Sequence, residues 1–166
     1  MNANMLSQPQ IDTVWENKMC AEARSNYFGE LASRESTIKR WISGASFFLS
    51  SAAVVTLVAK LPPWASIALS IPVALANGYT IAVNLDGKLK TLGRLHIQWL
   101  QLEHDYDRLW SHTSDEDAEA TLERCLERER DLSEIAATEI GHDEERWKKW
   151  LDIVHQKHDT SLHATT

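Results

Sequence analysis

WISGASFFLSSAAVVTLVA (41–59) and LPPWASIALSIPVALANGYTIAVNL (61–85) stand on either side of one lysine, Lys60, and neither contains a charged residue. The first is 19 residues long and the second 25. A helix that crosses the hydrocarbon core of a bilayer needs about 20 apolar residues, so each stretch is of spanning length. Between them, Lys60-Leu61-Pro62-Pro63 has the composition of a tight turn, because proline cannot continue a helix but can open the next one. The expected fold class is all-α: a membrane protein with a two-helix transmembrane hairpin in 38–85 (spans near 41–59 and 64–85) and a cytoplasmic helical bundle.

The mean hydropathy of the whole chain, -0.34, averages two unlike populations. Residues 41–85 hold a single charge, whereas the remaining 121 residues hold 40. A water-soluble bundle with a very apolar central helix pair is the competing arrangement, but core helices normally keep one polar face toward water. Basic residues flank the apolar block: Arg34, Lys39 and Arg40 precede it, Lys88, Lys90 and Arg94 follow it, and only Lys60 marks the turn. The positive-inside rule then places both termini in the cytoplasm, with the bacterial inner membrane as the expected location, and Trp41 and Trp64 fall where aromatic rings line the interfaces. Arg40, Trp41, Lys60, Trp64, Lys88 and Lys90 form this membrane-flanking set. The first 40 residues carry no secretory signal pattern, so the first apolar helix is expected to serve as an uncleaved anchor.

Cys20 and Cys125 are the only cysteines. In a reducing compartment they imply no structural disulfide, and with no CxxC pair no cysteine zinc site follows. The net charge is -7, and residues 86–166 carry 19 acidic against 11 basic side chains. That balance argues against nucleic acid as a partner. The basic residues beside the apolar block suit topology and lipid headgroups instead.

Before the block, residues 1–37 read as an amphipathic helix. Thr13-Val14-Trp15-Glu16 fits a capping box, and Ile11, Trp15, Met19, Ala23, Tyr27 and Leu31 repeat every fourth residue to about Arg34. Pro72 is expected to kink the second apolar helix, and Asp86-Gly87 to form a hinge. Residues 86–156 read as a helical hairpin. Leu92, Leu95, Trp99, Leu102, Tyr106 and Leu109 are spaced 3, 4, 3, 4, 3, the seam of a coiled-coil-like helix. Residues 111–114 break it, and Thr113 to Asp117 offer caps and acids for the next helix N-terminus. Leu122, Leu126, Leu132, Ile135 and Ile140 follow, Gly141-His142 interrupts, and Trp147, Trp150, Leu151 and Val154 form a last apolar face. Residues 157–166 read as a disordered tail.

Candidate functional residues fall in three groups. Ser43, Ser46 and Ser50 share one face of the first apolar helix, and Ser70, Asn77 and Asn84, seven apart, share one face of the second. A carboxamide in hydrocarbon is costly without a partner. This stripe either lines an aqueous path between assembled copies or joins helices by hydrogen bonds. The seam from Leu92 to Leu109 packs either within one chain or between chains. His155 and His158 have a metal-compatible spacing but sit in the expected tail with no further ligand nearby, so neither a metal nor a cofactor is implied. No Gly-rich phosphate loop, GxSxG or HExxH occurs, and an enzyme is not expected.

Residues 27–40 running into Trp41, the Lys60-Leu61-Pro62-Pro63-Trp64 turn, and the seam after the second apolar helix give a layout that resembles the SLATT family of bacterial two-transmembrane effectors. The resemblance covers roughly residues 12–155. It implies an oligomeric effector that permeabilises the bacterial inner membrane in antiviral defence, a form of abortive infection. The implied partners are the lipid bilayer, further copies of the chain, and a sensor or nucleotide-signal synthase. A passive anchor or scaffold, whose cytoplasmic helices recruit a partner, is the alternative that the same layout allows.

Overall fold

The computed structural model describes residues 6–58 and 63–163. They form five helices: α1 Gln8–Val58, α2 Pro63–Ala82, α3 Leu85–Ser111, α4 Ala118–Glu139 and α5 Glu144–His163. The chain divides into two compact units, one of Met1–Glu30 with Thr91–Thr166, the other of Leu31–Lys90. The all-α class and the helical bundle stand. The transmembrane hairpin does not: among the described residues no helix is long and apolar enough to cross a membrane. Polar and helix-disfavoured positions dilute both stretches, with Ser43, Gly44, Ser46, Ser50 and Ser51 in α1 and Ser70, Pro72, Asn77 and Thr80 in α2. The expected turn at Lys60-Leu61-Pro62 lies outside the described residues.

α1 begins earlier than its sequence pattern suggested. Gln10 Oε1 accepts from both the backbone N–H and the hydroxyl of Ser7, 2.8 Å each. Ser7-Gln8-Pro9-Gln10 is thus half of a capping box, in which the third helical residue reaches back to the cap. Thr13 caps nothing; its hydroxyl donates to the Pro9 carbonyl inside the helix. No break separates the N-terminal helix from the apolar stretch. Residues 34–38, Arg-Glu-Ser-Thr-Ile, contain neither glycine nor proline, and α1 runs through them.

In the first unit, residues of α1, α3, α4 and α5 form a four-helix bundle. Asn17 pairs with Tyr106 and Ser25 with His96, so α1 and α3 run antiparallel. Tyr106 pairs with Glu129 and Thr91 with Glu139, so α3 and α4 are antiparallel as well. Glu22 pairs with Lys157 and Glu30 with Lys149, which sets α5 antiparallel to α1. The seam of α3 faces inward, with Leu92, Trp99, Leu102 and Tyr106 fully buried and Leu95 and Leu109 nearly so. Val14, Ala23, Leu122, Leu132 and Val154 are also buried in this unit. α5 continues to His163, so the expected disordered tail is helical from Lys157 to that point. α4 starts at Ala118 behind Asp117, whose side chain makes no capping hydrogen bond.

In the second unit, Lys88 pairs with Glu35 at 2.7 Å and Lys39 with Asp86, holding the start of α3 against α1. α2 runs through Pro72 and ends at Ala82. The hinge falls at Val83-Asn84 rather than at Asp86-Gly87. Asn84 takes φ 46°, the left-handed conformation that asparagine tolerates at a helix end. Gly87 lies in the first turn of α3, where any side chain would run into the Asn84 carboxamide.

Leu102→Ala should destabilise the bundle by about 2–5 kcal/mol, the range for emptying a buried leucine site. Ile97→Ala on the exposed face of the same helix should change stability by less than about 1 kcal/mol. Urea unfolding followed by circular dichroism measures both, and equal effects would contradict the inward-facing seam.

Candidate functional site

The expected polar stripe is mostly exposed. Ser43, Ser50, Ser70 and Asn77 are exposed, and Asn84 sits in the turn after α2 instead of on the helix face. The Ser70 hydroxyl donates to the Ile67 carbonyl of its own helix. Ser46 is half-buried, and its hydroxyl oxygen has no partner. Of the flanking set, Arg40, Trp41, Trp64 and Lys90 are exposed, Lys88 is tied to Glu35, and Lys60 lies outside the described residues.

The second unit instead presents large apolar side chains outward. On α1, Trp41 is 75% exposed, Phe47 70% and Phe48 73%. On α2, Ile67, Ile71, Leu75 and Tyr79 recur every fourth residue and are each at least half exposed. Residues four apart on a helix are surface neighbours, so these four form a continuous apolar ridge. Contiguous apolar patches of this kind mark interaction surfaces.

The bundle ties several of its polar side chains into networks. Burial pushes the Glu22 carboxyl up, but hydrogen bonds and charge from Lys157 (2.5 Å) and His158 (2.8 Å) outweigh it and hold the group below its ordinary range. His158 also meets the Trp15 ring edge-on, so this histidine belongs to a docked helix rather than to a solvated tail. Tyr106 donates to Glu129 at 2.9 Å and is in reach of the Asn17 amide. Burial and the Glu129 carboxylate both push the Tyr106 hydroxyl up, which keeps it a donor.

Nucleophile candidates do not assemble. His96 Nδ1 lies 2.8 Å from the Ser25 carbonyl oxygen and 3.3 Å from its hydroxyl. A carbonyl only accepts, so Nδ1 carries the proton and cannot serve Ser25 as a base. Gly29 packs against the same imidazole, where an added Cβ would come within 3.0 Å of Nδ1. Burial raises the thiol of Cys20, and burial with nearby Asp105 pushes that of Cys125 up to about 11. Both thiols stay protonated near neutrality and are poor nucleophiles.

Comparison with protein families, with curated proteins and with solved structures finds no match to this chain. The SLATT resemblance therefore rests on the sequence layout alone.

The Glu22 network carries a pH dependence. Its folded-state pKa lies below the ordinary 4.5, so its stabilisation is present above that value and is lost as the pH falls through the folded pKa. Glu103, pushed up by burial and by Glu22, contributes with the opposite sign. Glu22→Gln should cost about 1–3 kcal/mol at pH 7, as loss of a charged hydrogen-bond acceptor does, and progressively less as the pH falls below 4.5. Thermal unfolding of both proteins from pH 3 to 7 tests this; a deficit that does not shrink with acid would refute the assignment.

Proposed function

We propose that this protein is a non-enzymatic scaffold that works by self-association. Its bundle stays folded and free to recruit a protein partner, and the apolar faces of α1 and α2 pack against the same faces of further copies. The observation that supports this reading is the exposure of Trp41, Phe47, Phe48, Ile67, Ile71 and Leu75, most of the large apolar side chains that the second unit presents outward. A surface without charge calls for an uncharged partner, and a second copy offers one of identical chemistry. The interleaved Ser43, Ser50 and Asn77 supply both donors and acceptors for such a pairing. A sensor or nucleotide-signal synthase is the kind of partner that the family resemblance implies for the bundle.

A second reading draws on the same exposed residues. An uncharged, aromatic-rich face also suits lipid, and copies assembled there would make the protein an effector that permeabilises a bacterial inner membrane.

Sedimentation of the full chain should show concentration-dependent assembly. Ile71→Glu combined with Leu75→Glu should weaken that assembly at least about tenfold, since each charge must then be buried unpaired, while the bundle's unfolding transition stays in place. A wild-type chain that sediments as a monomer at all concentrations would overturn the scaffold reading. Flotation with liposomes together with dye release would favour lipid as the occupant.

A further inference from the structure

The bundle contains a cavity of about 470 Å³ lined by Arg24, Tyr27 and Phe28 of α1, Trp99 of α3, Ser133 of α4 and Trp147 of α5. This is within the size range of small-molecule sites, which are typically aromatic with a few placed polar groups. The small residues Ala136 and Gly141 also line it. It is reached from solvent beside the exposed Ala137 and His142.

The polar lining is rich in donors, and no carboxylate lines the cavity. The Arg24 guanidinium lies 4.5 Å from the Trp99 ring centroid and 5.8 Å from that of Trp147. Its hydrogen bond to Ser133 (2.5 Å) and its long contact to Glu129 (3.9 Å) are both made by Nη1. A guanidinium has five N–H groups arranged as a fork that matches a carboxylate, so Nη2 and Nε remain for a ligand.

We propose that this cavity binds a small planar aromatic carboxylate. Its ring lies along the Trp147 side of the cavity, and its carboxylate pairs with the guanidinium of Arg24. Offset and edge-to-face contacts fix the ring, and the paired charge selects the anion over a neutral isostere.

The test is calorimetric titration of the full chain with 2-naphthoate and with its neutral amide, alongside NMR of the tryptophan indole N–H groups. The expected result is one naphthoate per chain, at least tenfold tighter than the amide, with the Trp99 and Trp147 resonances shifting while those of Trp41 and Trp64 stay. Arg24→Met should erase the preference for the acid, and Ala136→Trp should abolish binding. The unmodified protein already decides the matter if either variant fails to fold. No binding up to about 1 mM, equal affinity for acid and amide, or shifts confined to Trp41 and Trp64 would each overturn the proposal.

Discussion

Six large side chains on one face of α3 have to leave water together, and the rest of the bundle follows from that. A leucine or aromatic residue fully buried is worth about 1.5–3 kcal/mol, but a lone helix cannot hide its own stripe. α1 and α4 run antiparallel to α3 and pair with it through Asn17, Ser25, Glu129 and Glu139, and α5 docks antiparallel on α1. The two aromatic members of the seam with polar atoms meet that dry environment differently. Tyr106 donates a hydrogen bond to Glu129, whereas the indole N–H of Trp99 goes unanswered by protein. The same seam thus holds one satisfied donor and one buried donor without a partner.

Charge divides the chain along a different line. In the second unit the ion pairs Glu35–Lys88 and Lys39–Asp86 join α1 to the start of α3. Past Arg40, the described residues of α1 and all of α2 carry no charge. The outer face of α2 therefore meets water through its few uncharged polar groups alone, while the bundle's surface is laced with pairs such as Arg128–Asp105 and Lys149–Glu30.

The α3 seam was legible because its 3–4 spacing is a local property of one helix, and so was the interruption at Gly141-His142. The helix start at Ser7 carried a readable Ser-x-x-Gln signal, overshadowed by the stronger-looking Thr13-x-x-Glu. The supposed boundary near residue 37 followed a shift in composition, and composition alone does not stop a helix; only glycine, proline or a cap does. The His158 contact was out of reach, since Glu22 lies 136 residues away and no periodicity links them. The aromatic cavity was illegible for the same reason. Tyr27, Trp99 and Trp147 each read as core positions on separate helices, and Arg24, the residue that makes the place chemically specific, sat on no apolar stripe. The transmembrane assignment failed for lack of apolar density in the described helices, a quantity that the absence of charge does not measure.

An uncharged helix and a membrane span are different physical statements. Absence of charge says only that a surface does not favour water; it does not name what the surface favours. α2 illustrates the difference: its ridge of Ile67, Ile71, Leu75 and Tyr79 is apolar, yet Asn77 lies exposed on the same helix, while the Ser70 hydroxyl is already answered by the Ile67 carbonyl. In hydrocarbon the Asn77 carboxamide would cost several kcal/mol unless paired, whereas against another protein face of the same composition it finds donors and acceptors that fix register. A helix that mixes an apolar ridge with an exposed carboxamide is therefore better matched to a partner that answers both than to one that answers only the ridge.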